Sequence, residues 1–225
     1  EMRRFDREAE LDRVAARGEL DLPLAEALGD MAAALHCAAP RTPEFGGAAR
    51  VRATVAQIAE GIADAPGGAP LAEGAAAWRR AAEARVEAVS ARLEARRRHG
   101  FVRRCHGDLH LGNIVLLEGR PVPFDALEFS EEMASTDVLY DLAFLVMDLC
   151  ERGLEAEANA MMNRYLSVTR DCGGLDLLPL FVSMRAAVRA LVAASREAPE
   201  PGAPSAAERL GFARAALAAR PEARL

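Results

Sequence analysis

The chain has 225 residues and a formal net charge of −6, with 51% hydrophobic and only 5% aromatic residues. This length suits a single domain or a large lobe of a bigger protein, and the negative charge argues against a nucleic-acid partner. No apolar run approaches the roughly 20 residues that cross a bilayer, so we expect no membrane partner either.

The basic residues and the cysteines each show a feature that bears on function. All 28 basic residues are arginine, and the chain contains no lysine. The 4 cysteines lie far apart, with no CxxC pair, at Cys37, Cys105, Cys150 and Cys172. This spacing predicts reduced, mostly buried thiols in a cytoplasmic protein.

Helix signals dominate the first hundred residues. A helix begins at Asp21, a predicted N-cap with Pro23 in the first turn. It ends near His36, because Pro40 prevents its continuation. Apolar periodicity predicts three further helices, over 6–17, 48–63 and 71–98.

A polar motif and a hairpin pattern follow these helices. The segment 102–129 reads VRRCHGDLHLGNIVLLEGRPVPFDALEF. Two apolar runs, 114–117 and 122–124, flank the turn sequence EGRP, which predicts a β-hairpin. Asn113 then lies at the entrance of the hairpin and Asp125 at its exit.

Asp108, Asn113 and Asp125 are the residue types that phosphoryl transfer requires. A carboxylate orients the acceptor hydroxyl and receives its proton, while an amide oxygen and a second carboxylate hold Mg²⁺ against the phosphates. The sequence therefore favours a phosphotransferase with its site on this hairpin.

The C-terminal half is predicted to be helical. A strongly apolar helix spans 138–149, capped by Ser135 or Thr136, and is expected to be buried almost all round. It contains Asp141, a carboxylate that is costly to bury unless it is hydrogen-bonded. We therefore expect Asp141 to accept bonds from backbone N–H groups of the loop at 106–113. Further helices are predicted over 154–170, 177–196 and 206–220.

The sequence HGDLHLGN at 106–113, followed by FDALEF at 124–129, resembles the aminoglycoside phosphotransferase superfamily, whose fold is related to the protein kinases. The flanks PVPFDALEF and DVLYDLAFLVMDL are similar to one bacterial branch, in which the kinase-like domain is fused to a P-loop ATPase domain. The resemblance implies an α+β, helix-dominated fold like the large, C-terminal lobe of a kinase, with a small β-hairpin carrying the site.

The resemblance also implies roles for individual residues. Asp108 would be the catalytic base, and Asn113 and Asp125 would bind Mg²⁺. His106 would lie beside the cofactor and shape the loop. The cofactors would be ATP and Mg²⁺. Asp141 is similar to the family's structural aspartate, and His36 to its Leu-His helix ending, although a cation at a helix C-terminus explains His36 equally well.

The implied organisation is one large lobe over 1–225. Residues 1–5 would be the inter-lobe hinge, with Glu1 and Met2 offering backbone to adenine. Segments 6–100 and 130–225 would be helical subdomains around the loop and hairpin at 101–129. Because kinases of this type need a phosphate-binding lysine, we expect the small, N-terminal lobe to lie upstream. The resemblance also implies a P-loop domain downstream in the same polypeptide.

Two other functions fit the same residues. His106, Asp108 and His110 alternate, so they would share one face of an extended strand and could form a metal-dependent hydrolase site. The chain could also be a non-catalytic helical interaction module. The acceptor of a phosphotransferase would be a small-molecule hydroxyl. Residues 151–225 hold nine acidic residues against ten arginines, so they show no acidic surplus for a polycationic antibiotic.

Overall fold

The computed structural model describes residues 6–196, 198 and 203–218, and most of them are helical. This confirms the helix-dominated fold class. The hinge predicted at 1–5, with Glu1 and Met2, lies outside the described residues. The helices are α1 (Leu11–Ala16), α2 (Leu22–Ala38), α3 (Gly47–Asp64), α4 (Ala72–Ala88), α5 (Ser90–Arg98), α6 (Glu131–Ala134), α7 (Val138–Glu151), α8 (Glu155–Thr169), α9 (Leu178–Ser195) and α10 (Ala206–Ala218).

Two small antiparallel sheets accompany the helices. The strands are β1 (Val102–Arg104), β2 (Ile114–Leu117), β3 (Arg120–Pro123) and β4 (Ser135–Asp137). Strands β2 and β3 form a hairpin, with Ile114 opposite Pro123 and Leu117 opposite Arg120. Strand β1 pairs with β4, so the segment after the hairpin returns beside the segment before it.

The contacts divide the described chain into two compact units, each made of two segments. We name Glu1–Pro43 with Gly100–Gly173 the first unit, and Glu44–His99 with Gly174–Leu225 the second unit. This differs from the contiguous subdomains expected at 6–100 and 130–225. Chain segments that are distant in sequence pack together in each unit, and local patterns do not carry that information.

Helix α7 is the most buried of the long helices in the first unit. Its apolar side chains are buried almost all round, as the sequence predicts. The predicted cap at Ser135 or Thr136 is wrong, because both residues lie in strand β4. Asp137 caps α7 instead, and its carboxylate accepts a bond from the Leu139 N–H at 2.9 Å.

The single helix predicted over 71–98 is also wrong. The chain breaks at Val89, which has φ −111° and ψ 9°, and α5 restarts at Ser90. A β-branched residue followed by serine is a weak point in a helix, since valine loses side-chain freedom there and serine competes for backbone bonds.

Helix α9 is the most apolar helix of the second unit. The stretch Cys172–Ser195 is long and apolar enough to cross a membrane, so the expectation that no run approaches this length is wrong. Within this stretch, 61% of the apolar window is buried inside the protein, as is typical of a core helix. Trp78 in α4 donates to the Ser183 hydroxyl of α9 at 2.9 Å, and this hydroxyl donates to the Ala213 carbonyl of α10 at 2.6 Å.

The four cysteines are all free thiols, as predicted. The expectation that most of them are buried is wrong, because Cys37 and Cys172 are exposed. Burial and the nearby Glu155 raise the pKa of the Cys150 thiol to about 11.

Candidate active site

The candidate site is the loop at 106–113, which connects β1 to the hairpin. Its first turn needs glycine at position 107, where φ is +84° and an added Cβ would lie 2.6 Å from a Leu127 methyl carbon. Its last residue, Asn113, is followed directly by β2. The loop therefore places its polar side chains at the open end of the hairpin.

Asp141 holds the first half of this loop. Its carboxylate is fully buried and accepts bonds from the N–H groups of His106 at 3.2 Å and Gly107 at 2.8 Å. This confirms the expectation from the sequence. The burial of this carboxylate is tolerable because the loop supplies its hydrogen bonds.

His36 and Tyr165 complete the surroundings of Asp141. His36 Nε2 lies 3.2 Å from Asp141 Oδ2, and His36 Nδ1 lies 3.0 Å from the Tyr165 hydroxyl. His36 therefore donates to the carboxylate from Nε2. The structure places His36 in the last turn of α2, where it is buried and hydrogen-bonded.

Arg103 supports the helix end that carries His36, and sequence reasoning missed it. The guanidinium donates to the carbonyl oxygens of His36 at 2.9 Å and Cys37 at 3.0 Å. These carbonyls belong to the last turn of α2, where the helix leaves its acceptors unused.

Asp148 holds the second half of the loop, and the sequence pattern does not single this residue out either. Its side chain is buried and accepts a bond from the Leu111 N–H at 3.0 Å. Asp148 lies seven residues after Asp141, two turns along α7, so both carboxylates face the loop from one side of the helix. That spacing within an apolar helix was the signal available in the sequence.

Asp108 and Asn113 are in direct contact. The Asn113 side-chain NH₂ donates to Asp108 Oδ2 at 2.9 Å and to the Asp108 carbonyl at 3.0 Å. This contact fixes the orientation of the amide, since both donors point at Asp108. The amide oxygen is then the atom that can face a cation. The Asp108 side chain is 41% exposed, which lets a substrate reach it.

Asp125 follows the hairpin and is exposed, with a left-handed φ of 60°. The residues around it are tied to the loop: the Phe124 N–H donates to the Asn113 carbonyl, and the Leu127 N–H donates to the His106 carbonyl, both at 2.9 Å. The structure therefore brings the backbone at Asp125 to the same end of the hairpin as Asn113.

His106 uses both ring nitrogens within the backbone of the site. Nε2 donates to the Phe124 carbonyl at 2.9 Å, and Nδ1 accepts from the Asp108 N–H at 3.4 Å. These bonds shape the loop, and they leave neither nitrogen in the position of a metal ligand. This disfavours the hydrolase alternative.

Another group consists of three residues of the types that bind metal ions, and its Asp141 contacts the loop backbone. The ligand atoms of His36, Cys105 and Asp141 are all within 4.8 Å of one another, and all three residues are buried. It is the one such group among the described residues, and it does not include Asp108 or His110. Hydrogen bonds to the loop and to Tyr165 account for the burial of His36 and Asp141.

Apolar side chains are exposed close to the site. Leu117 and Val122 on the hairpin are 41% and 38% exposed, and Phe129 and Met133 beyond it are 81% and 54% exposed. The sequence predicts exposed apolar groups near this hairpin if a further lobe packs there.

Comparison with known proteins gives two results. The family model described as the phosphotransferase enzyme family matches residues 6–178. Uncharacterised proteins of Mycobacterium bovis and of two strains of Mycobacterium tuberculosis are each 34% identical to the chain over 85 residues. That match covers 38% of this chain and 17% of the length of each mycobacterial protein.

Proposed function

The chain belongs to the phosphotransferase enzyme family, and we propose that it carries the catalytic loop of an ATP-dependent small-molecule kinase. In this proposal Asp108 is the base, Asn113 and Asp125 hold Mg²⁺, and the acceptor is a hydroxyl group. The proposal also assigns the chain to the bacterial branch of the superfamily in which a P-loop ATPase domain lies in the same polypeptide.

The observation that carries the proposal is the contact between Asn113 and Asp108. The Asn113 amide donates to the Asp108 carboxylate, so one residue orients the base and turns its own oxygen toward a cation. A kinase catalytic loop needs this division of roles between an aspartate and an asparagine. Backbone N–H groups of the loop also donate to the buried carboxylates of Asp141 and Asp148, which favours a preorganised site.

The reaction follows from these groups. The acceptor hydroxyl gives its proton to the Asp108 carboxylate as its oxygen bonds to the γ-phosphorus of ATP. The bond from that phosphorus to the β,γ-bridging oxygen breaks, and ADP leaves. A positioned base of this kind contributes roughly 10²–10⁴-fold to the rate.

The donor set fits Mg²⁺. Asn113 offers an amide oxygen and Asp125 a carboxylate, and Mg²⁺ prefers oxygen ligands. The exposure of Asp125 leaves room for phosphate oxygens and water in the same shell. When bound, the ion would neutralise charge on the transferring phosphoryl group. His106 supports this set by holding the Phe124 carbonyl beside Asp125.

The acceptor is proposed to be a sugar, an amino alcohol or another small metabolite. A polycationic antibiotic requires a concentrated acidic cleft, and residues 151–225 contain nine acidic residues against ten arginines. The proposal also includes a small lobe in the full-length polypeptide, because no lysine is present here to hold the α- and β-phosphates.

The test measures ADP release by the full-length gene product, with ATP and a panel of sugars, amino alcohols and aminoglycosides. We expect release that depends on both an acceptor and Mg²⁺. Asp125→Asn should raise the Mg²⁺ concentration needed for half-maximal rate, by about tenfold or more for one lost charged ligand.

The matched control is Asp64→Asn, an exposed aspartate at the end of α3. It should leave both the rate and the Mg²⁺ dependence unchanged. Release that needs no acceptor, or that persists in EDTA, would contradict the proposal. Zinc-dependent hydrolysis would favour the hydrolase instead.

A further inference from the structure

We infer that His110 is a positioning residue for the base, a neutral imidazole whose Nε2–H restrains the Asp108 carboxylate. The inference rests on the proposed function, since it assigns His110 a part in orienting the proposed base. His110 Nε2 lies 3.4 Å from Asp108 Oδ2, and the His110 side chain is 18% exposed.

The loop backbone fixes which nitrogen of His110 carries the proton. The Gly112 N–H donates to His110 Nδ1 at 3.1 Å. A nitrogen that accepts a hydrogen bond is unprotonated, so the neutral ring carries its hydrogen on Nε2. That hydrogen lies on the side of the ring nearest Asp108.

Packing fixes the position of the ring. His110 makes an edge contact with Phe144 of α7, with ring centroids 5.1 Å apart and an interplanar angle of 62°. On the other side, an added Cβ at Gly112 would lie 3.1 Å from His110 Cε1, so a larger residue there would press against the ring. Phe144 lies between Asp141 and Asp148 along α7, so one side of this helix supports both the loop backbone and the histidine.

The two side chains beside the base lie close to the same oxygen. Asn113 donates to Asp108 Oδ2 at 2.9 Å, and His110 Nε2 faces that oxygen at 3.4 Å. Catalytic hydrogen bonds are often long in the free enzyme and shorten in the substrate complex. A neutral donor restrains the carboxylate without placing a positive charge beside a group that must accept a proton.

Three substitutions separate the hydrogen bond from the packing. In His110→Gln the side-chain NH₂ reaches the place of Nε2, in His110→Asn it reaches only that of Nδ1, and His110→Phe keeps a ring beside Phe144. We expect His110→Phe and His110→Asn to lower kcat by about ten- to a hundredfold, the value of one hydrogen bond to a charged group. His110→Gln should recover most of this loss.

A role in orienting the base predicts a particular split of the kinetic constants. The KM values for ATP and acceptor should change by less than about threefold, because the lost bond acts in the chemical step. The matched control is His99→Gln at an exposed histidine, which should leave kcat unchanged. If His110→Phe keeps full kcat, or His110→Gln is as slow as His110→Phe, the inference is wrong.

Ring nitrogen NMR tests the geometry without any turnover. The chain has 4 histidines, so single substitutions assign every imidazole signal. We expect His110 as the neutral Nε2–H form, with its signal shifted in Asp108→Asn. If His110 were found in the Nδ1–H form and the protein still transferred phosphate, this inference would be wrong and the proposed function would stand. Absence of transfer by the wild type would contradict the proposed function and remove this role with it.

Discussion

Buried polar groups have different hydrogen-bond partners, and different consequences, in the two units. In the first unit, the carboxylates of Asp141 and Asp148 accept bonds from the backbone of the loop at 106–113. In the second unit, the Ser183 hydroxyl accepts from Trp78 and donates to the Ala213 carbonyl, so it links three helices. Both arrangements satisfy buried polar atoms, but only the first positions side chains that can carry out chemistry.

This difference shows how buried polar residues can be interpreted. A polar group whose partners are helices contributes to packing and stability. A carboxylate whose partners are the N–H groups of an irregular loop also determines where that loop's side chains point. Substitutions in the two units should therefore separate stability from turnover.

The largest effect is expected from Asp141→Ala. The change leaves the His106 and Gly107 N–H groups without their acceptor, and the free energy of unfolding should fall by about 3–5 kcal/mol. Turnover of the fraction that stays folded should fall as well, because Gly107 precedes the proposed base. Urea denaturation and kcat, both measured on the same preparation, check this.

The counterpart in the second unit is Ser183→Ala. It removes the acceptor of Trp78, so stability should fall by about 1–3 kcal/mol, while kcat of the folded protein stays unchanged. If both variants lowered kcat alike, the distinction between the two units would fail.

A smaller effect is expected from Asp148→Ala. The Leu111 N–H loses its acceptor, which should cost about 1–3 kcal/mol of stability and lower kcat, because Asn113 is two residues further on. Arg152 Nε lies 3.3 Å from Asp148 Oδ1, and Arg152→Gln provides the control. It keeps the Leu111 bond and removes only the partly exposed arginine, so it should cost less stability than Asp148→Ala and leave kcat unchanged. Equal losses in the two variants would show that the ion pair, and not the loop bond, is what matters.

The smallest effect is expected in the second unit, at Glu94. Its carboxylate accepts from the Ala48 N–H at the start of α3 and from Arg97, both at 2.9 Å, and these bonds lower its pKa from the ordinary value of 4.5. A lowered pKa means that the stabilisation is complete above pH 4.5 and is lost as the pH falls through the folded-state pKa.

Glu94→Gln should therefore lower stability at pH 7 by about 0.5–1 kcal/mol, since solvent screens this partly exposed group. The difference from wild type should shrink below pH 4.5, with kcat unchanged. Urea denaturation between pH 3 and 7 measures it. A difference that stays constant across this range would show that the ionised form has no special role.

Local sequence pattern predicts some parts of the candidate site. Asp108, Asn113 and Asp125 stand out by residue type around a hairpin pattern, and the cost of burying a charge predicts the partners of Asp141. Asp148 was missed because a carboxylate near the end of an apolar helix is equally typical of a solvated surface.

Other parts depend on contacts between segments that are distant in sequence. The pairing of β1 with β4 joins chain segments on either side of the hairpin, and no periodicity within either segment indicates it. The position of the His110 ring depends on its edge contact with Phe144 of α7. Such information appears only when the loop and the helix are folded together.

The most direct test of the central claim is Asp108→Asn in the full-length gene product, compared with wild type and the Asp64→Asn control. The substitution keeps the shape of the side chain and removes its ability to take a proton. We predict that kcat falls by about 10²–10⁴-fold, while the Kd for ATP and Mg²⁺ changes by less than about threefold. A kcat within about threefold of wild type would contradict the assignment of Asp108 as the base.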